Sequence, residues 1–321
     1  MPKYRNRLPL LSDRMFLTDG GLETTLIFHD GIELPFFAAF DLLKNDEGVR
    51  RLKRYYARHA AIAEAHGVGF ILESPTWRAS ADWGAKLGYS AAAIAALNRR
   101  AIDLMVDLRE GCESPGSPMV ISGCVGPRGD GYDPGRVMRA DEAEAYHAAQ
   151  IGTFADTEAD LVTAITMTNV EEAIGVARAA ARAGMPAAIS FTLETDGRLP
   201  TGATLQDAIA AVDAASARAP LYYMINCAHP THFTEVLASG EPWLKRLRGL
   251  RANASKRSHA ELDAAPDLDA GDPAELGEDY RKLLRRVPHV NILGGCCGTD
   301  HRHVEAICLA CGPAQRLAAA E

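Results

Sequence analysis

The sequence predicts a single α/β domain of the (β/α)8 TIM-barrel type, and three observations support this prediction. Short apolar runs alternate with longer stretches of helical periodicity, which is typical of a parallel sheet with crossover helices. The alternation gives eight strands, and no Gly-x-Gly-x-x-Gly motif opens a dinucleotide-binding unit. The length of 321 residues is typical of one such barrel. We therefore expect one barrel domain over residues 1–321.

The first half of the chain predicts four of the strands. The first apolar run ends at Asp19-Gly20-Gly21, and the next helix stops at Gly67. The second strand is apolar until Glu73. These four strands are expected at residues 16–21, 69–74, 119–127 and 160–166, with helices at residues 49–66, 91–109 and 139–157 between them.

The second half predicts the remaining four strands. They are expected at residues 187–194, 221–227, 247–254 and 290–295, with helices at residues 170–183 and 204–217. The eighth strand leads directly into two adjacent cysteines. A polar stretch at residues 255–272 follows the seventh strand, and it predicts a long loop on the active-site face that serves either as a lid or as a solvated connection.

Composition favours a protein of small-molecule metabolism. The formal charge is -8 and no face rich in Lys and Arg is evident, which disfavours nucleic acid or an anionic membrane as partner. The N-terminus lacks the apolar core of a signal peptide, and no run approaches the roughly 20 apolar residues of a membrane span. We expect a cytoplasmic protein, and a homo-oligomer is compatible with the sequence. Seven cysteines in a reducing compartment favour metal binding, catalysis or burial over disulfides.

Several reactive side chains lie where predicted strands end. In a (β/α)8 barrel the active site lies at the C-terminal ends of the strands. The residues that meet this condition are Asp19, Glu73, Cys124, Glu194, Cys227, Cys296 and Cys297. Cys227 follows the sixth strand, whereas Cys296 and Cys297 follow the eighth, so only the fold can bring the three together. Three thiolates at one barrel mouth would leave a fourth tetrahedral position open, as in catalytic zinc sites; the alternative is buried structural thiols.

Three motifs carry a resemblance to a known family. They are, in order, Asp19-Gly20-Gly21, Asn226-Cys227 and Gly294-Gly295-Cys296-Cys297-Gly298-Thr299. With them the chain resembles the homocysteine S-methyltransferase family nearly end to end. The resemblance implies that Cys227, Cys296 and Cys297 bind Zn²⁺ and that Asp19 holds the amino group of the substrate. It also implies a role in methionine biosynthesis, in which homocysteine or a similar thiol takes a methyl group from S-methylmethionine, S-adenosylmethionine or betaine.

The residues suit this chemistry independently of the resemblance. A free thiol has a pKa of about 8.5 and attacks only as the thiolate, so coordination to zinc produces the nucleophile at neutral pH. A small cationic donor would then lose its methyl group by in-line displacement. Trp77 and Trp83, in the loop after the second strand, are candidates to face that cation, although they can equally pack the loop against the barrel.

The sequence departs from the family pattern at two positions. The family's glutamate near the end of the fourth strand, which binds the substrate ammonium, aligns with Ile165. Either Glu73 or Glu194 supplies the missing carboxylate, or the substrate is another thiol or selenol. The extra tyrosine ligand of betaine-type relatives falls near Arg78, so water or another group is expected as the fourth ligand. A non-catalytic zinc or redox-sensing protein is the alternative from another functional class.

Overall fold

Eight parallel strands close into one barrel in sequence order in the computed structural model, which describes residues 1–312. The strands are β1 (Phe16–Leu17), β2 (Gly69–Glu73), β3 (Met119–Val125), β4 (Leu161–Met167), β5 (Ala187–Thr192), β6 (Tyr222–Asn226), β7 (Leu247–Ala252) and β8 (Ile292–Gly295). β1 pairs in parallel with both β2 and β8, which closes the barrel. The predicted (β/α)8 fold is confirmed, and the last residues of the predicted domain 1–321 lie outside the described residues.

Helices surround the barrel and occur between successive strands. The α-helices are Leu22–Thr24, Asp46–Ala65, Ala81–Lys86, Ala91–Cys112, Ala140–Ala155, Val170–Arg182, Leu205–Ala215, Pro230–Phe233, His259–Asp263, Pro273–Arg286 and His301–Cys311. Side chains at several N-caps accept hydrogen bonds from the first turn, among them Asn45, Ser90 and Asn169. These caps satisfy backbone N–H groups that have no partner inside the helix.

Apolar side chains fill the end of the barrel where the strands begin. Phe16, Leu161, Tyr222 and Ile292 are the first residues of β1, β4, β6 and β8, and all are almost fully buried. They belong to one cluster with Leu8 and Leu10 from the N-terminal segment. A second, larger cluster packs the helices against the outer face of the strands. Because apolar side chains fill this end in the described part of the chain, we expect a ligand to enter the barrel where the strands end.

Within residues 1–312, no helix combines the length and the apolar character that a membrane span requires.

Candidate active site

Three cysteine sulfurs form a cluster at the C-terminal ends of β6 and β8. The Sγ atoms of Cys227, Cys296 and Cys297 all lie within 4.8 Å of one another. The Sγ atoms of Cys227 and Cys296 are in direct contact, close enough for oxidation to a disulfide, and the Sγ atom of Cys297 lies 3.9 Å from that of Cys227. The same three sulfurs can therefore surround a metal ion when all are reduced. Three soft sulfur donors on one side of an ion suit zinc and leave a position for a further ligand.

The end of β7 holds the two cysteine segments side by side. The backbone N–H of Cys227 donates to the carbonyl of Arg251 at 3.2 Å, and that of Cys296 donates to the carbonyl of Ala252 at 2.8 Å. The N–H of Ala254 donates to the carbonyl of Cys297 at 3.1 Å. Because β7 lies between β6 and β8 in the sheet, its backbone fixes the separation of cysteines that are far apart in sequence.

The backbone at Cys227 is in the left-handed region, with φ of 52°. Such a conformation costs a non-glycine residue about 1–3 kcal/mol and is maintained only by its surroundings. The preceding residue, Asn226, is fully buried and provides part of this support. Its Oδ1 accepts from the N–H of Thr166 at 2.9 Å and from the hydroxyl of Ser190 at 2.6 Å, while its Nδ2 donates to Thr166 Oγ1 at 2.8 Å.

Further side chains contact the cysteine cluster from three loops. The hydroxyl of Tyr132 lies 3.2 Å from Cys297 Sγ, and its ring stacks on His259 with centroids 3.9 Å apart. His259 Nε2 donates to the carbonyl of Cys227 at 2.6 Å, and its Nδ1 lies 3.0 Å from Glu194 Oε1. Burial raises the pKa of Cys297 to about 11, so its thiol must lose a proton when a metal binds.

A cavity of about 570 Å³ opens beside the cysteine cluster. This volume is large enough to hold one or two small molecules. Asp19, Glu73 and Trp77 line it together with the three cysteines, and so does Cys124. Residues of the polar segment 255–272 also line the cavity, among them Leu262 and Asp263. That segment therefore forms one wall of the mouth, and it contains the short helix His259–Asp263.

The structure places Glu194 outside the cavity lining. Its carboxylate contacts His259, and its side chain is one-third exposed. Glu194 therefore contacts His259, which is next to the cysteine cluster, and is not positioned to contact a ligand in the cavity. Among the residues that sequence reasoning named, Glu73 is the carboxylate that faces the cavity beside Asp19.

Arg251 on β7 joins the two carboxylates at the base of the cavity. Its Nη2 donates to Asp19 Oδ1 at 2.7 Å, and its Nη1 lies 3.7 Å from Glu73 Oε2. Both oxygens of Asp19 have partners, since Oδ2 accepts from the hydroxyl of Tyr55 at 3.1 Å. Burial raises the pKa of Glu73 to about 7, against the opposing effect of the Arg251 charge.

The aromatic residues Trp77 and Trp83 enclose a cation from the chain itself. The guanidinium carbon of Arg78 lies 4.1 Å from the ring centroid of Trp77 and 3.8 Å from that of Trp83. Arg78 Nη1 donates to the carbonyl of Gly129 at 2.8 Å, and Nη2 donates to Asp130 at 3.1 Å. The ring faces that the sequence suggested for a cationic ligand are thus in contact with Arg78.

Sequence reasoning did not single out several polar residues of the cavity wall, among them Glu23, Asp130, Tyr132 and Arg251. Glu23 lies two residues beyond the Asp19-Gly20-Gly21 motif, and burial raises its pKa to about 7. Arg251 could have been found as a charged residue within a predicted strand, since a charge inside a barrel needs a partner. Tyr132 lies in a loop without periodicity, and no signal in the sequence connects it with Cys297.

Comparisons with known proteins agree with this geometry. The family model described as homocysteine S-methyltransferase matches residues 16–311. The homocysteine methyltransferase MmuM from Escherichia coli has a similar structure in its oxidized form, with a TM-score of 0.74 and 22% identity over 95% of this chain and 99% of that chain. Its metallated form gives a TM-score of 0.70 and 21% identity over the same shares of the two chains. At this identity the likeness supports the fold alone. No curated protein sequence matches the chain significantly.

Proposed function

Because this chain belongs to the homocysteine S-methyltransferase family, and is therefore a thiol S-methyltransferase, we propose that it binds Zn²⁺ and uses it to methylate homocysteine or a similar thiol. The methyl donor in this proposal is a small cation such as S-methylmethionine, S-adenosylmethionine or betaine. The observation that carries the proposal is the cluster of Cys227, Cys296 and Cys297 at the edge of the cavity.

The three cysteines would hold the metal on one side and leave its other side toward the cavity. A bound zinc ion supplies a Lewis acid that lowers the pKa of a coordinated thiol, so that the thiol is present as the thiolate at neutral pH. Tyr132 donates a hydrogen bond toward Cys297 Sγ, and His259 fixes the carbonyl of Cys227. Such contacts to metal ligands orient them and tune their affinity. A reducing cytoplasm would keep all three thiols available.

The charge of the cavity supports a cationic donor. Seven carboxylate side chains line it, whereas two guanidinium groups, Arg78 and Arg251, do so. The carboxylates are those of Asp19, Glu23, Glu73, Asp130, Asp263, Asp267 and Asp269. Burial raises the pKa of Glu23 and of Glu73 to about 7, so these two are only partly ionised at neutral pH, but the other five carboxylates still outnumber the two guanidinium groups. A cleft with this excess of negative charge raises the local concentration of cations. The acidic walls, more than the ring faces of Trp77 and Trp83, thus favour a sulfonium or quaternary ammonium compound.

Two separate variants test the proposal: one removes a thiol of the cluster, and the other removes a cysteine thiol that lines the same cavity outside the cluster. Cys297→Ala should lose both bound zinc, measured by elemental analysis, and methyl transfer to homocysteine. Cys124→Ala is the matched control, because Cys124 is a buried thiol of the same cavity that is not part of the three-sulfur cluster. The proposal fails if Cys297→Ala retains stoichiometric zinc, or if zinc-loaded protein transfers no methyl group from any of the three donors.

Two alternatives keep specific support. Ile165 on the cavity wall offers no carboxylate for an ammonium group, which favours a different thiol or selenol on the same scaffold. A panel of thiols screened by thermal shift against zinc-loaded protein distinguishes these substrates. The close approach of the sulfurs of Cys227 and Cys296 is the observation behind a redox-sensing role, because two sulfurs joined by oxidation could not bind metal at the same time. Under that alternative, oxidation would release zinc and no thiol would be methylated.

A further inference from the structure

A second cavity lies on the outside of the barrel, beside the helices Asp46–Ala65 and His301–Cys311. Its volume of about 190 Å³ is below the roughly 300–1,000 Å³ of sites for drug-sized ligands, so it suits a small molecule. Tyr55 and His59 line it, with their ring centroids 4.6 Å apart. The hydroxyl of Tyr55 donates to Asp19, which lines the larger cavity. Tyr55 therefore stands between the two cavities, and the smaller one contains none of the three clustered cysteines.

Three arginines of one helix line this small cavity. Arg51, Arg54 and Arg58 are three and four residues apart, so they follow one another along the same face of the helix Asp46–Ala65. Like charges at these spacings destabilise a helix unless an opposite charge lies close by. The chain as a whole carries a formal charge of -8, so its composition does not account for this concentration of positive charge. The arrangement calls for a negative partner.

The protein itself supplies that partner to one of the three arginines. Arg51 Nε donates to Glu47 Oε1 at 2.9 Å. Within residues 1–312, Arg54 and Arg58 form neither a hydrogen bond nor an ion pair, and both side chains are exposed at the cavity. Two guanidinium groups, four residues apart on one helix, thus present accessible N–H donors to the same concave surface.

Two carboxylates also line the cavity, and neither neutralises this pair of arginines. The carboxylate of Asp300 is already paired, since Arg302 Nη2 donates to it at 2.6 Å and His303 Nδ1 lies 3.2 Å from its Oδ1. Asp30 is exposed and has no ion pair within the described part of the chain. One unpaired carboxylate therefore stands against two unpaired guanidinium groups. The balance favours an anion, and Asp30 can accept a hydrogen bond from a hydroxyl group on the same ligand.

We propose that Arg54 and Arg58 bind a small dianion with a phosphate group in this cavity, either inorganic phosphate or a phosphate monoester. A guanidinium group donates two parallel hydrogen bonds to phosphate oxygens, and one dianion neutralises both arginines. A monocarboxylate has a single charge and would leave one of them without a partner. This inference does not depend on the proposed methyl transfer, because it uses neither the cysteine cluster nor the larger cavity.

Isothermal titration calorimetry of the full-length protein with three anions tests the proposal. The anions are inorganic phosphate, glycerol 3-phosphate and acetate, at low ionic strength because salt screens exposed charges, and at about pH 8, where phosphate groups are mainly dianions. At least one of the two phosphate compounds should bind saturably, with a Kd of about 1 mM or lower, and acetate should bind at least fivefold more weakly. Tighter binding of glycerol 3-phosphate would identify a monoester as the ligand, and equal or tighter binding of inorganic phosphate would identify the free ion.

Variants assign the binding to the two arginines. Arg54→Gln and Arg58→Gln should each weaken phosphate binding about fivefold or more, since each removes one guanidinium from the site. Arg50→Gln is the matched control, because Arg50 is an exposed arginine of the same helix that pairs with Glu47 and does not line the cavity. The proposal is overturned if neither phosphate compound binds saturably to the unmodified protein, if acetate binds as tightly as they do, or if Arg50→Gln weakens binding as much as Arg54→Gln and Arg58→Gln.

Discussion

The hydroxyl of Tyr132 lies 3.2 Å from the sulfur of Cys297, although 165 residues separate them in sequence. Tyr132 comes from the loop after β3, on a different side of the barrel from β8. The contact joins a loop of the cavity mouth to the cysteine cluster, and the stacking of Tyr132 on His259 extends it to the segment after β7. Metal ligands in proteins usually have such hydrogen-bonded neighbours.

We expect Tyr132→Phe to weaken zinc binding about tenfold, because the variant keeps the ring but loses the hydroxyl that donates to Cys297. Competition with a chromophoric chelator measures the affinity. Tyr146→Phe is the control, since the hydroxyl of Tyr146 donates to Ser80 and does not contact the cluster. Equal zinc affinities of the two variants would show that the Tyr132 hydroxyl does not support the metal ligand.

Asn226→Ala should lower the free energy of unfolding by about 2–4 kcal/mol, since it leaves the buried N–H of Thr166 without its acceptor. Zinc affinity should fall as well, because Asn226 supports the left-handed backbone of Cys227. Urea denaturation measures the first effect. Asn253→Ala is a suitable comparison, as Oδ1 of this buried asparagine has no hydrogen-bond partner within residues 1–312. A smaller loss in Asn226→Ala than in Asn253→Ala would contradict the prediction.

Glu73→Gln should gain stability relative to the unmodified protein as the pH rises. Burial raises the pKa of Glu73 from 4.5 to about 7 in the folded state. Between these values the folded protein binds more protons than the unfolded chain, so this carboxyl contributes stability below pH 4.5 that is lost as the pH rises through about 7. The neutral amide is free of this loss, which amounts to at most about 3 kcal/mol.

Urea unfolding of both proteins at pH 5 and pH 8 measures this difference. Glu172→Gln is the control, because its change in stability with pH is expected to have the opposite sign. Burial alone would raise the pKa of Glu172, but hydrogen bonds from His147 and from the backbone of Arg128 lower it overall. Glu172→Gln should therefore lose stability relative to the unmodified protein as the pH rises. A pH-independent difference for Glu73→Gln would show that the Glu73 carboxylate is ionised in the folded protein at no cost.

Arg78→Met should lower the free energy of unfolding by about 1–3 kcal/mol. The guanidinium stacks between Trp77 and Trp83 and binds the carbonyl of Gly129, so it ties the loop after β2 to the loop after β3. Thermal or urea denaturation tests this expectation. Arg136→Met, at an exposed residue of the same region, should change stability by less than about 0.5 kcal/mol. If the two variants are equally stable, the stacked arginine makes no net contribution.

Much of the architecture could be predicted from the sequence because each element carries a local signal. Helical spacing, short apolar runs and their terminal glycines predicted all eight strands, with boundaries that differ from the structure by a few residues. Cys227 and the pair Cys296-Cys297 were recognisable because reactive residues follow strands β6 and β8 directly. Parallel strands end at the same side of a barrel, so a position at the end of a strand already implies a place in the mouth.

The contacts between loops could not be predicted in this way. Tyr132 reaches Cys297, and Arg78 occupies the space between Trp77 and Trp83, through loops whose paths have no periodic signal. The sequence suggested Trp77 for a cationic ligand, but it could not indicate that a neighbouring arginine would cover the ring. Glu194 likewise follows a strand, yet its carboxylate turns to His259 and away from the cavity lining.

The sequence by itself therefore determined the barrel, the end of it at which the cavity opens and the three sulfurs that meet there. The tertiary structure alone decided how charge is distributed at the base of the cavity. Arg251 lies 232 residues from Asp19 and 178 from Glu73, and the closure of β7 and β8 onto β1 brings the three together. Electrostatic pairing depends on distances in space, which a local pattern of residues does not encode. For this reason Asp19 could be identified as a site residue, but its partner Arg251 could not.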